Sequence, residues 1–192
     1  AAPDADEKSA SAGAAARQRK MNTHHPMNAP SLVSLPVAVI GAGPVGLAAA
    51  AHLAERGIDF VVIEAGEAAG AAVRAWSHVR LFSPWTYNVD RAAARLLEST
   101  GWRAPEAEAF PTGGELLADY LEPLSRVPAL AARLRPRMKV TGLTRVGRDK
   151  TKSDAARANA PFRVRLVTPA GEAELLARAI IDTSGTWQSP NP

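Results

Sequence analysis

The chain has 192 residues, a length that suits one domain together with an extension. Hydrophobic residues make up 46% and charged residues 22%, and this balance excludes a chain that is disordered throughout. Cysteine is absent, which excludes disulfides, thiolate metal sites and dithiol redox chemistry. The net charge of +4 comes mostly from arginines scattered along the chain, so no nucleic-acid partner is predicted.

The N-terminal segment and the longest apolar stretch bear on location and domain boundaries. Residues 37–51 are apolar, but they include glycines and a proline and fall short of the roughly 20 residues that cross a membrane. No signal-peptide pattern opens the chain, so we expect a cytoplasmic protein without a membrane partner. Residues 1–34 carry no apolar periodicity and are predicted to be a disordered tail. His24 and His25 in this tail lack a third ligand, so no metal site is predicted.

Residue 35 begins a region of strand and helix patterns. The apolar run at residues 37–40 is typical of a strand buried on both faces of a parallel sheet. Residues 44–56 predict a helix, and residues 60–63 predict a second buried strand. A strand, a glycine turn, a helix and a strand within about 30 residues form a βαβ unit.

The middle of the chain is less regular. Residues 65–88 predict a loop-rich segment, and residues 89–100 predict a helix. Thr112 and Glu115 have the spacing of a capping box before another helix, in which Pro123 marks a kink or an end. Four aromatic residues in the loop either line a ligand or form a small core that orders it: Trp76, Phe82, Trp85 and Tyr87.

The last third of the chain is predicted to be mainly β-structure. Strands are predicted at residues 138–146, 162–166, 173–177 and 179–181, with a polar loop at 149–161 and a turn at 169–171. Combined with the βαβ unit, these strands predict an α/β fold in which a parallel sheet flanked by helices carries a small antiparallel β-meander.

The glycine motif at residues 41–46 is the strongest functional signal, because it directly follows a strand and opens a helix. Gly41 permits a tight turn, Gly43 lets a pyrophosphate approach the backbone, and Gly46 lets the helix pack close to the strand. The free amides and the positive end of the helix then hold the phosphate charge. The predicted phosphate-binding residues are Gly41, Ala42, Gly43, Pro44 and Gly46.

An acidic residue follows at the expected position. Glu64 ends the second strand at close to the 20-residue spacing of a carboxylate that accepts hydrogen bonds from an adenosine ribose. Such a carboxylate repels a 2′-phosphate, and the next residues, Ala65 and Gly66, include no arginine. The site is therefore predicted to prefer FAD or NAD over NADP, and Ala65 is also predicted to bind the cofactor. These features predict a Rossmann-like FAD/NAD(P)-binding fold.

Residues 37–64 resemble the FAD-binding βαβ unit of flavoprotein oxidoreductases with two dinucleotide-binding domains. Residues 162–192 are similar to the meander of that family, with Thr183-Ser184-Gly185 at its Ala-Thr-Gly-like turn. Residues 79–84 resemble the flavin-side loop of flavin-containing and Baeyer–Villiger-type monooxygenases. The resemblance implies FAD contacts from four further residues: Arg80, Val140, Ser184 and Gly185. Of these, Val140 is expected to meet the adenine with its backbone.

The resemblance has limits. Ala69-Gly70-Ala71-Ala72 stands where these monooxygenases usually carry Gly-Gly-x-Trp, and no second GxGxxG motif follows. Residues 35–192 are therefore interpreted as an FAD-binding domain that forms the N-terminal part of a longer oxidoreductase.

The implied activity is that of an FAD-dependent, monooxygenase-like oxidoreductase that accepts hydride from NAD(P)H and acts on a small organic substrate. No catalytic base or nucleophile stands out, which agrees with chemistry performed by the flavin. Two alternatives stay open: a single-Rossmann NAD-dependent dehydrogenase, and a non-catalytic nucleotide-binding module or truncated remnant. Neither Tyr87 nor Tyr120 has the Tyr-x-x-x-Lys spacing of a dehydrogenase proton relay.

Overall fold

A computed structural model describes residues 32–151 and 153–186. Most of the predicted tail, including His24 and His25, lies outside these residues. Leu32–Ser34 forms a single 3₁₀ turn, and Leu35 after it is buried. The strands are β1 (Val37–Ile40), β2 (Phe60–Ile63), β3 (Leu134–Arg135), β4 (Lys139–Arg145), β5 (Phe162–Thr168), β6 (Gly171–Ala177) and β7 (Ala179–Asp182).

The helices surround and connect these strands. They are α1 (Pro44–Glu55), α2 (Ala71–Ala75), α3 (Trp85–Asn88), α4 (Arg91–Glu98), α5 (Gly113–Leu116), a π-helical turn (Leu117–Leu121), α6 (Glu122–Arg126), α7 (Pro128–Ala131) and α8 (Ala155–Ala158). The loop-rich segment predicted at 65–88 thus contains two short helices, and the polar loop predicted at 149–161 contains one.

A parallel sheet in the order β3-β2-β1-β7 forms the centre, and β4-β5-β6 forms a separate antiparallel sheet. In β1, Val37 lies opposite both Phe60 of β2 and Ala179 of β7. The carboxyl ends of these strands therefore reach one edge of the sheet together, which is where α/β folds bind ligands. The predicted fold class is confirmed.

The two faces of the parallel sheet are covered by different elements. Val37 and Val39 belong to the larger core, which is formed with α1 and the other helices. Ala38, whose side chain points to the opposite face because strands alternate, packs with Val164 and Leu166 of the meander. Every residue of β1 is consequently buried, which explains its uninterrupted apolar sequence.

The helical segment 113–126 combines the predicted cap with an irregular middle. The side chain of Thr112 accepts a hydrogen bond from the Glu115 amide, and the Glu115 side chain accepts one from the Thr112 amide, so the capping box is confirmed. Pro123 has no N–H to donate to the carbonyl of Asp119, four residues earlier. The indole N–H of Trp102 donates to that carbonyl instead, at 2.6 Å.

The four aromatic residues of the middle loop fall into two pairs. Trp85 is buried, and Trp76 packs against the larger core. Phe82 and Tyr87 are 98% and 80% exposed. The first pair therefore orders the loop, and the second pair is accessible to other molecules.

Among the described residues, none of the helices has the length and hydrophobicity that a membrane span needs. The cytoplasmic location stays a prediction.

Candidate functional site

The glycine turn after β1 is held by both neighbouring strands. Gly41 has a φ of 97°, and its amide donates to the Ile63 carbonyl of β2 at 2.7 Å. From the end of β7, the hydroxyl of Thr183 donates to the Ile40 carbonyl at 2.7 Å. A side chain at Gly41 would lie 2.9 Å from the Thr183 carbonyl oxygen. Because Gly41 has a left-handed backbone conformation and is closely packed, this position requires a glycine.

Gly43 and Gly46 are glycines for different physical reasons. A Cβ at Gly46 would lie 2.0 Å from the carbonyl oxygen of Gly41, so α1 approaches the turn too closely for any side chain. A Cβ at Gly43 would meet no protein atom within 4 Å. The space in front of Gly43 is open, which agrees with the predicted approach of a ligand to this backbone.

The first turn of α1 carries hydrogen-bond donors without acceptors. Leu47 donates to the carbonyl of Gly43, and Pro44 has no amide hydrogen. Within the described chain, no hydrogen bond uses the amides of Gly43, Val45 or Gly46. These amides stand at the positive end of a 12-residue helix, so the turn is suited to bind an anion.

Glu64 supports the turn as well as facing the open site. Its Oε2 accepts from the Ala42 amide at 2.7 Å, and its Oε1 accepts from the Gly66 amide at 2.6 Å. A carboxylate offers about four lone-pair directions, so each oxygen keeps capacity for a further donor. Glu64 is only partly buried, and this remaining capacity fits the two hydroxyls of a ribose.

Ala42 connects the turn to the loop that follows Glu64. Its carbonyl accepts from the Gly70 amide at 2.9 Å, and the Ala42 residue is fully buried. Gly70 has a φ of 70°, and a Cβ there would lie 2.4 Å from Cδ2 of Leu117. The residues 41–46 and 64–70 are thus fixed to each other before any ligand arrives, which lowers the entropy cost of binding.

Two other predicted residues lie at the Glu64 end of the site. Ala65 follows Glu64 and is exposed. The Met138 amide donates to the Glu64 carbonyl at 2.9 Å, which brings the start of β4 to this loop. Val140 lies two residues further, at a register shift in the pairing of β4 with β5. Ala65 therefore lies next to Glu64, and Val140 lies two residues along the chain from the hydrogen bond that joins the start of β4 to Glu64.

Ser184 and Gly185 follow Thr183 and are exposed. The Ser184 amide donates to Oδ1 of Asp182 at 3.0 Å. Arg80 has a different placement: its guanidinium donates to the Phe110 carbonyl, and its backbone pairs with Thr112. No hydrogen bond or ion pair in the described part of the chain joins Arg80 to residues 41–46.

Sequence reasoning missed the side chain of Thr183. The signal was available, because Thr183 stands in the turn that closes the predicted strand at residues 179–181. It also missed residues 137 and 138, since nothing in the local sequence indicates that they bond to the Glu64 loop.

The glycine turn, the free amides and Glu64 together form a candidate dinucleotide-binding site of the Rossmann type. The open space at Gly43 fits a pyrophosphate, and the spare acceptor capacity of Glu64 fits the adenosine ribose.

Comparison with known proteins identifies the family. The FAD dependent oxidoreductase family matches residues 36–191, so the chain belongs to it. The predicted resemblance to FAD-binding flavoproteins is confirmed. A comparison with curated sequences gives no significant match.

Solved structures with a similar fold come from several flavoproteins and a reductase. The bacillithiol disulfide reductase Bdr (YpdA) from Bacillus cereus has a TM-score of 0.59 and 24% identity over 82% of this chain. OTEMO in complex with FAD and NADP has a TM-score of 0.56 and 23% identity over 79%. A flavin-containing monooxygenase from Stenotrophomonas maltophilia has a TM-score of 0.57 and 26% identity over 82%. The aligned region spans 42%, 26% and 41% of these proteins.

Proposed function

We propose that this chain is the FAD-binding portion of a monooxygenase-like flavoprotein that takes hydride from NAD(P)H and acts on a small organic substrate. Its membership of the FAD dependent oxidoreductase family is the main observation that supports FAD as the cofactor. The similarity to a flavin-containing monooxygenase and to OTEMO, which was solved with FAD and NADP, supports the type of reaction.

Each part of the site has a task in holding FAD. The amides of Gly43, Val45 and Gly46 bind the pyrophosphate, and the helix end stabilises its charge. Glu64 accepts hydrogen bonds from the ribose hydroxyls, and the backbone at Val140 lies beside the adenine. Bound FAD supplies hydride acceptance and reaction with oxygen, while the protein binds and orients it.

Ser184, Gly185 and Arg80 are proposed to act further along the cofactor. The first two extend from the same sheet edge as the glycine turn, and Arg80 is fixed by its bond to the Phe110 carbonyl. The sequence has a single GxGxxG motif, and we assign it to FAD. NAD(P)H then binds elsewhere, so the 192-residue chain alone is expected to bind FAD without rapid turnover.

The direct test is titration of the purified chain with FAD, followed by flavin absorbance and fluorescence. We expect Glu64→Gln to weaken FAD binding about 10- to 100-fold, because the ribose and the Ala42 amide both lose a charged acceptor. Glu67→Gln removes a charge from an exposed residue of the same loop and is the matched control.

Three outcomes distinguish the alternatives. A colourless protein that binds NAD but not FAD would favour the dehydrogenase. Unchanged FAD affinity in Glu64→Gln would contradict the site. In stopped-flow mixing with NADH or NADPH, saturable bleaching of the flavin by the 192-residue chain would place a nicotinamide site within it.

A further inference from the structure

Arg137 is the one non-glycine residue with a positive φ, 57°, in the described part of the chain. It follows Pro136 in the crossing from β3 to β4, where the chain passes from one sheet to the other. The left-handed region is uncommon outside glycine, and asparagine or aspartate occupy it more often than arginine. A glycine would make this crossing with less strain, so the turn alone does not account for an arginine here.

Backbone hydrogen bonds place Arg137 beside the ribose end of the candidate site. Its amide donates to the Gly66 carbonyl at 2.9 Å, and the following amide, of Met138, donates to the Glu64 carbonyl at 2.9 Å. Gly66 itself donates to the Glu64 side chain at 2.6 Å. Arg137 is therefore attached to the loop that carries the ribose carboxylate.

The side chain of Arg137 is exposed, and no described residue accepts a hydrogen bond from its guanidinium. The neighbouring arginine of β3 differs, because Nη1 of Arg135 donates to the carbonyls of Ala132 and Leu134. A guanidinium presents five donors and a flat face that stacks on aromatic rings. Those groups of Arg137 are available to a ligand.

We propose that Arg137 is an adenosine-binding residue that lays its guanidinium against the adenine ring of the dinucleotide. This inference rests on the proposed function and extends it. No arginine follows Glu64 directly in the sequence, and Arg137 lies beside the Glu64 loop only in the folded chain. The interaction uses the face of the base, so it leaves the Glu64 carboxylate to the ribose. It does not require a phosphate on the 2′-hydroxyl.

The test compares variants of the 192-residue chain by calorimetric titration with FAD, ADP and adenosine 2′,5′-bisphosphate. Arg137→Gln and Arg137→Gly should weaken FAD and ADP to the same extent, about tenfold. Arg137→Gly also relaxes the left-handed backbone, so its thermal stability should equal or exceed that of the wild type. Arg103→Gln changes the same charge at an exposed site between α4 and α5 and should leave both affinities unchanged.

The outcomes separate this proposal from the proposed function. If the wild type binds neither FAD nor ADP, the proposed function itself is wrong. If the wild type binds both and Arg137→Gly binds them equally well, Arg137 has no part in the site. A loss for FAD without a loss for ADP, or a loss confined to the 2′,5′-bisphosphate, also overturns the proposal. A loss that disappears at high salt indicates attraction to the phosphates rather than stacking and overturns it too.

Discussion

Gly43 and Gly46 should separate the requirements of folding from those of FAD binding. In Gly46→Ala, the new methyl group would lie 2.0 Å from the Gly41 carbonyl oxygen and 2.8 Å from Oγ1 of Thr183. The first of these neighbours is backbone and cannot rotate away, so α1 must move. In Gly43→Ala, the methyl group would meet no protein atom within 4 Å.

The expected magnitudes follow from these distances. Overpacking costs about 1–3 kcal/mol, and contact with a backbone atom puts Gly46→Ala near the upper value. The gain in helix propensity from glycine to alanine, about 1 kcal/mol at most, is too small to offset this. For a domain of this size the melting temperature should fall by roughly 4–10 °C. Gly43 has a φ of −78° that alanine adopts freely, so Gly43→Ala should cost less than about 1 kcal/mol.

For FAD binding we expect the opposite order, with Gly43→Ala more strongly affected than Gly46→Ala. The methyl group of Gly43→Ala projects into the space assigned to the pyrophosphate, and we expect FAD affinity to fall about tenfold or more, which corresponds to at least about 1.4 kcal/mol. The assays are thermal and urea unfolding without ligand, followed by FAD titration of the folded variants. An unaltered melting temperature in Gly46→Ala would refute the close approach of α1. Wild-type FAD affinity in Gly43→Ala would refute the position of the phosphate.

Thr183 and Asp90 provide two further predictions. Thr183→Val keeps the shape but removes the hydroxyl that donates to Ile40, so urea unfolding should show a loss of about 1–2 kcal/mol, with Thr183→Ser nearer the wild type. Partial burial raises the pKa of Asp90, but hydrogen bonds from the Ala93 amide and His52 lower it by more, so the net pKa lies below the ordinary value of an aspartate. A carboxylate with a lowered pKa stabilises the fold above its unfolded-state pKa, and this contribution disappears as the pH falls through the folded-state value. The stability difference between wild type and Asp90→Asn should therefore be present at neutral pH and shrink as the pH falls below the ordinary pKa of an aspartate; a difference that is constant with pH would contradict this pairing.

The sequence by itself determined the βαβ unit and the position of its glycine turn. Strand β1 is apolar at every position because both of its faces are covered, and this pattern is readable without a structure. The spacing of Gly41, Gly43 and Gly46 follows from one continuous strand, turn and helix, so it is a local property of the chain. Glu64 was found in the same way, as the residue that ends the next strand.

The tertiary structure decided which distant residues meet this unit. Thr183 donates a hydrogen bond to Ile40, which lies 143 positions away in the sequence. The amide of Arg137, between β3 and β4, donates a hydrogen bond to the carbonyl of Gly66, in the loop after β2. Sequence periodicity reports whether a residue is buried, but not which segment buries it. For the same reason the sequence left open whether Phe82 belongs to the core, whereas the folded chain leaves it 98% exposed. Such placements depend on hydrogen bonds and packing between segments that are adjacent only after the sheet has formed.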